Sequence, residues 1–130
     1  MSWNFLNRPW PAILWTVIII VLMTIPASSI PSHGLFGIPH LDKVVHSIMF
    51  GILVYLWSRY TFLRSRNTSR MGILLMVCLL CCAFGTGMEF FQKYFVPTRS
   101  FEVEDIVADS IGSFAAWLYC RFYFPRKYLA

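Results

Sequence analysis

Residues 99–112 read RSFEVEDIVADSIG, and this stretch governs the interpretation of the whole chain. It holds four of the six acidic residues, namely Glu102, Glu104, Asp105 and Asp109. It also opens an apolar run, so we predict a helix over about 101–124 with Ser100 as its N-cap. Acidic side chains in a first helical turn suit the positive end of the helix dipole. That explanation does not extend to Asp109, which lies two turns into the predicted helix.

The composition is typical of a protein that resides in a membrane. Of the 130 residues, 58% are hydrophobic and 13% are charged, whereas a soluble domain has about 25% charged residues. The length fits a single domain, which we take as 1–130. The four cysteines lie in apolar runs. We therefore interpret the CxxC pair Cys78 and Cys81 as helix packing rather than as a metal or redox motif.

Three more apolar segments precede the acidic stretch. In addition to 101–124, we predict helices over about 10–27, 42–62 and 71–94. Each is about long enough to cross a bilayer core of about 30 Å, which predicts an all-α integral membrane bundle of four transmembrane helices. The segment between the first two helices contains prolines, glycines, His33 and His40, and is predicted to be a loop. Arg8, the first apolar run and Ala27-Ser28-Ser29 also fit a cleaved signal peptide, but the further spans favour a retained helix.

Basic residues divide unequally between the two ends of these helices. One end holds eight of the eleven: Arg8, Arg59, Arg64, Arg66, Arg70, Arg121, Arg126 and Lys127. The other end holds Lys43, Lys93 and Arg99 together with all the acidic residues and histidines. Because cytoplasmic loops are enriched in Lys and Arg, we predict that both termini and the loop after the second helix are cytoplasmic. Topology signals and contacts with anionic lipids account for the positive charge, so no nucleic-acid partner is predicted.

Polar residues from three segments converge at the outer end. They are Asp42, Lys43 and His46 on the second helix, Glu89 and Gln92 on the third, and Arg99, Glu102, Asp105 and Asp109 around the start of the fourth. Helical spacing puts Asp42 and His46 on one face of the second helix, and Glu89 and Gln92 on one face of the third. It likewise puts Glu102, Asp105 and Asp109 on one face of the fourth. Gly85 and Gly112 lie about one turn deeper and allow neighbouring helices to approach closely. We predict one shared polar pocket; a purely structural network of paired charges is the alternative.

Two kinds of chemistry suit this pocket. His46 near Glu89 and Asp105 fits acid/base catalysis, because an imidazole and buried carboxyl groups can exchange protons near neutral pH. His46, Glu89 and Asp109 instead offer nitrogen and oxygen ligands for a divalent metal. Since no spacing here matches a specific metal motif, we predict neither a metal nor a cofactor from the sequence.

An ordered set of short motifs runs through the chain. It consists of Asp42-Lys43-x-x-His46, Glu89-x-x-Gln92 and Arg99-Ser100-Phe101, followed by Asp105, Ala108 and Gly112. This set resembles the VanZ-like family, and the resemblance covers about residues 10–122. By that resemblance the functional positions are Asp42, Lys43, His46, Glu89, Gln92, Arg99 and Asp105. The family usually has Asn where this chain has Asp109.

The resemblance implies a small multi-pass protein of the bacterial inner or plasma membrane, in a family whose type member is linked to lowered susceptibility to teicoplanin. We expect an outward-facing pocket that binds or processes an amphiphilic, anionic lipid or lipid-linked envelope precursor. The expected acid/base residues are His46, Glu89 and Asp105. The expected ligand-binding residues are Asp42, Lys43, Gln92, Arg99 and Asp109, with Lys43 and Arg99 holding anionic groups. The alternative is a non-catalytic membrane scaffold or accessory protein that alters cell-surface composition or glycopeptide susceptibility, and the residues leave open whether any reaction is catalysed.

Overall fold

Four long helices make up most of the chain. The computed structural model describes residues 3–26, 41–65, 69–98 and 101–129, and within these ranges it contains helices and no strand. A short 3₁₀ helix, Trp3–Asn7, precedes α1 (Trp10–Thr24), α2 (Leu41–Arg64), α3 (Arg70–Phe95) and α4 (Val103–Tyr128). The predicted all-α fold with four helices is confirmed. The predicted loop that holds His33 and His40 lies outside the described residues.

The start of α4 differs from the prediction. The helix begins at Val103, and its N-cap is Glu102, whose backbone is extended with φ −123° and ψ 113°. The prediction of Ser100 as the N-cap is therefore wrong, and Ser100 itself lies outside the described residues. The helix also continues past its predicted end, to Tyr128. Pro125 lies in its last turn, and the Pro125 carbonyl accepts a hydrogen bond from the backbone N–H of Leu129 at 3.0 Å.

Two of the described helices are long and apolar enough to cross a membrane. These are α2, with 24 residues, and α3, with 26 residues. The apolar helix α1 has 15 residues, which at about 1.5 Å per residue fall short of a bilayer core of about 30 Å. Large apolar side chains nevertheless remain exposed on all four helices, among them Leu14, Ile48, Leu80 and Phe122. A lipid environment would cover such surfaces.

The helices alternate in direction, so the start of α2 and the start of α4 lie at the same end of the bundle. Helix α2 packs most extensively against α4, and α3 packs against both. One apolar core surrounds Phe50 and Leu53, and a second surrounds Phe62 and Phe124 near the opposite end. Where α2 and α4 start, the end of α1 meets the end of α3, and the Gln92 side chain donates to the Met23 carbonyl at 2.8 Å.

The absence of a side chain at Gly112 lets α4 lie directly against α2. A Cβ atom at this position would be 1.9 Å from the Ser47 carbonyl oxygen. The Ser47 hydroxyl donates to the Ala108 carbonyl at 2.8 Å and fixes the same contact. The space beside Gly85 is also occupied, since a Cβ atom there would be 2.9 Å from Asp109 Oδ2. The expectation of close helix approach is confirmed at Gly112, whereas Gly85 makes room for the side chains of Asp109 and Phe50.

Arg59 lies inside the opposite end of the bundle rather than at its surface. It is 5% exposed, because α2 continues for more than a turn beyond it. Its guanidinium group donates to Asn7 Oδ1 at 3.1 Å and lies 5.7 Å from the centre of the Tyr128 ring. Arg59 therefore joins the chain before α1 to the end of α4, in addition to contributing positive charge at this end.

Candidate functional site

A buried polar cluster lies where α2 begins, α3 ends and α4 begins. Its buried members are His46 on α2, Glu89 and Gln92 on α3, and Asp105 and Asp109 on α4. Each of these residues was a predicted site residue, and the structure brings them to one end of the bundle. Arg99, which was predicted to join them, lies outside the described residues.

The parallel alignment of α2 and α4 pairs their polar residues in two successive contacts. Lys43 Nζ lies 2.6 Å from Asp105 Oδ1. One turn deeper, His46 Nδ1 lies 2.8 Å from Asp109 Oδ1. Residues three or four apart occupy the same helix face, so the spacing of Lys43 and His46 on α2 matches that of Asp105 and Asp109 on α4. Both contacts lie nearer the starts of the two helices than the point where Gly112 brings the helices together.

Lys43 is held by three carboxylates. Besides Asp105, it contacts Asp42 Oδ2 at 2.9 Å and the Glu102 carboxylate. The three partners differ in exposure: 59% of the Asp42 side chain and 45% of the Glu102 side chain are exposed, against 10% of the Asp105 side chain. Asp105 is therefore the inner, fixed partner, and the other two are partners that water and solutes can reach.

The direct partner of His46 is Asp109 rather than Asp105. The sequence analysis grouped His46 with Asp105 for acid/base chemistry, but His46 Nε2 lies 3.9 Å from Asp105 Oδ2, beyond hydrogen-bond distance. Asp105 is instead bound through its other oxygen, Oδ1, to Lys43. When His46 is neutral and donates from Nδ1 to Asp109, its Nε2 atom is left as an acceptor.

Glu89 completes the deep part of the cluster. It is fully buried, and its Oε2 atom accepts a long contact of 3.4 Å from the backbone N–H of Glu102. Glu89 Oε1 and Asp109 Oδ2 are buried and have no hydrogen-bond partner among the described residues. His46, Glu89 and Asp109 each offer a ligand atom, and these atoms lie within 4.8 Å of one another.

Three other residues have roles that the sequence analysis did not assign. Gln92, predicted to bind ligand, donates to the Met23 carbonyl and so connects α3 to α1. Glu102 was placed in the polar cluster by its helix face, but its partners were not assigned; it contacts both Lys43 and Glu89. Ser47 was not singled out, and it joins α2 to α4 beside the cluster.

A cleft of about 340 Å³ runs along the outside of α2 and α4 next to this cluster. Its polar lining comes from Lys43, Ser47 and Glu104. Most of the remaining lining is apolar: Val44, Ile48, Val107, Ala108 and Ile111. Lys43 thus belongs both to the cleft and to the buried cluster, and it is the point where the two meet.

The comparison with known families gives a match, which covers nearly the whole chain. The family model described as VanZ/LLP1 matches residues 3–124. The chain belongs to the VanZ/LLP1 family. No curated protein and no solved structure matches it. The matched residues of this VanZ/LLP1 protein include all four helices except the last turn of α4, and they include the entire polar cluster. Family membership supports an envelope protein with membrane helices.

Proposed function

We propose that this protein spans the bacterial inner membrane four times, with both termini in the cytoplasm, and binds an anionic amphiphile at its outer end. The ligand class is a phosphate-bearing lipid or a lipid-linked envelope precursor. The cleft between α2 and α4 carries this proposal, because it combines one cationic residue with a long apolar surface. An amphiphile has the same two parts, with a charged headgroup and hydrocarbon chains.

The apolar part of the cleft suits a hydrocarbon chain. The side chains of Val44, Ile48, Val107 and Ile111 are each more than half exposed, although they lie side by side on two helices. In a bilayer these side chains face acyl chains. A lipid held in the cleft would place its headgroup at Lys43, near the ends of the helices.

Lys43 can exchange one carboxylate for a phosphate. Its contacts with Asp42 and Glu102 are partly exposed to solvent, and exposed ion pairs contribute only about 0–1 kcal/mol each. A phosphate group could replace either carboxylate while the contact with buried Asp105 remains. Arg99, which precedes α4 in the sequence, would supply the second cation that the proposal assigns to the headgroup.

The charge distribution and the exposed apolar surfaces support the proposed four membrane crossings. Helices α1 and α4 each expose large apolar side chains, such as Leu14 and Ile111. The basic residues near the end of α2, the start of α3 and the end of α4 lie at the same end of the bundle. The positive-inside rule assigns that end to the cytoplasm, so the polar cluster would face the opposite side.

Binding of two lipids that differ only in phosphate tests the proposal. The detergent-solubilised protein is titrated with dioleoyl phosphatidic acid and with dioleoylglycerol, which have the same acyl chains. We expect phosphatidic acid to bind at least about tenfold more tightly, and Lys43→Gln to remove that preference. Lys93→Gln is the matched control, because Lys93 is an exposed lysine at the same end of the bundle. Equal binding of the two lipids, or an unchanged preference in Lys43→Gln, would contradict the proposal and favour a scaffold.

A further inference from the structure

We infer that His46, Glu89 and Asp109 form a binding site for one divalent transition-metal ion. The site lies between α2, α3 and α4, below the contact of Lys43 with Asp105. Its ligand atoms come from one residue on each helix, so a bound ion would join all three helices. The inference does not depend on the amphiphile, because the metal alone is the probe.

The three side chains are arranged at nearly the separation that a metal requires. Their ligand atoms lie within 4.8 Å of one another. Three ligands on one tetrahedral ion with bonds of about 2.1 Å are about 3.4 Å apart from one another. A small rotation of the side chains would therefore bring all three atoms into the first coordination shell. The imidazole proton now shared with Asp109 would be displaced, because a ligating nitrogen must be unprotonated.

Two unpartnered carboxylate oxygens are available to bind a cation. Glu89 Oε1 and Asp109 Oδ2 are buried without a hydrogen-bond partner among the described residues. Glu89 is 0% exposed and Asp109 is 1% exposed. A buried ionised carboxylate is costly unless it is paired or coordinates a metal. Lys43 does not fill this role for Glu89 or Asp109, because its recorded partners are Asp42, Glu102 and Asp105.

The surroundings hold the ligands in place. Gly85 leaves just enough room for Asp109, since a Cβ atom at Gly85 would be 2.9 Å from Asp109 Oδ2. Glu89 is positioned by the backbone N–H of Glu102. The free nitrogen of the His46 ring faces the Asp105 carboxylate at 3.9 Å, and a metal-bound histidine commonly directs its second ring nitrogen toward a carboxylate.

The donor set selects the class of metal. One imidazole nitrogen and two carboxylate oxygens suit Zn²⁺ or Mn²⁺. Mg²⁺ and Ca²⁺ prefer oxygen ligands alone, so the histidine disfavours them. The cysteines of α3 offer a rival site for thiolate-binding ions such as Zn²⁺. Mn²⁺ has little preference for sulfur, and it is the ion of choice for measuring the His46 site.

Titration of the whole protein with Mn²⁺ tests the inference. The detergent-solubilised protein is stripped with a chelator, and the free ion is followed by its electron paramagnetic resonance signal. We expect one Mn²⁺ per chain. Asp109→Asn and Glu89→Gln keep the shape of each side chain and should each weaken binding at least about tenfold. Glu104→Gln is the matched control, because Glu104 is an exposed acidic residue in the first turn of α4, and it should leave binding unchanged.

A second measurement needs no variant and covers the case in which a substitution prevents folding. Co²⁺ bound to nitrogen and oxygen ligands gives weak visible absorption without the intense charge-transfer band of a thiolate. We expect that weak spectrum from the unmodified protein, with one ion per chain. A thiolate band would assign the ion to the cysteines and overturn the inference. The absence of a stoichiometric site at millimolar metal, or undiminished binding by folded Asp109→Asn, would also overturn it.

Discussion

At the scale of single residues, the end of the bundle that holds the polar cluster buries one of two carboxylates that look alike in the sequence. Asp42 and Asp105 both contact Lys43. Only Asp105 is largely buried, so only its loss would leave Lys43 without an inner partner. The two carboxylates therefore provide a direct comparison between a surface charge pair and a buried one.

Asp105→Asn should destabilise the protein more than Asp42→Asn. We expect Asp105→Asn to lower the free energy of unfolding by about 1.5–3 kcal/mol, because a hydrogen bond to a charged group in a largely buried position is lost. Asp42→Asn should cost less than about 1 kcal/mol, since its side chain is 59% exposed. Denaturant or thermal unfolding in detergent measures both values. Equal losses would show that burial does not distinguish the two contacts.

Helical spacing predicted which polar residues share a face, but it could not predict their partners on other helices. Asp105 and Asp109 were correctly placed toward the same cluster as His46. Which of the two bonds to His46 depends on the axial alignment of α2 with α4. That alignment is set by the close approach of Gly112 to Ser47, a contact between residues far apart in the sequence.

At the scale of helices, the contact between α2 and α4 depends on one missing side chain. A methyl group at Gly112 would lie 1.9 Å from a backbone carbonyl, where no side-chain rotation can relieve the overlap. The backbones of α2 and α4 would then have to move apart. The Lys43–Asp105 and His46–Asp109 contacts bridge the same two helices and would be stretched by this movement.

Gly112→Ala should therefore destabilise the bundle by about 3 kcal/mol or more, at the upper end of the usual cost of overpacking. Gly87→Ala is the matched control on α3, because its added methyl group meets no atom within 4 Å. That control should be neutral or stabilising, since Ala favours a helix by about 1 kcal/mol over Gly. Thermal unfolding in detergent distinguishes the two. A Gly112→Ala protein as stable as Gly87→Ala would rule out the tight contact.

The existence of the four helices could be predicted from apolar runs, whereas their ends could not. The start of α4 illustrates the reason. Ser100 has the chemistry of an N-cap, yet the helix starts after Glu102. Glu102 contacts Lys43 and Glu89 on two other helices, and contacts between helices outweigh local capping preferences of about 1 kcal/mol.

At the scale of the whole molecule, the proposed orientation makes the two loops chemically distinguishable from outside the cell. The charge distribution assigns position 35 to the outer side and position 67 to the cytoplasm. In a background without native cysteines, Leu35→Cys should react with a membrane-impermeant maleimide in intact cells. Asn67→Cys should react only after the cells are opened. Labelling of position 67 in intact cells would reverse the orientation and move the polar cluster to the cytoplasmic side.

The close contact of α2 with α4 also orders the events of biosynthesis. The chain leaves the ribosome from its N-terminus onward, but the main partner of α2 is α4, which emerges only after α3. Until α4 arrives, Lys43 and His46 have neither of their α4 carboxylates, and the face of α2 around Ser47 is uncovered. A nascent chain that stops after α3 would thus present unpaired polar groups to the translocon and to membrane proteases. Completion of the fourth helix supplies both α4 carboxylates and covers this face of α2.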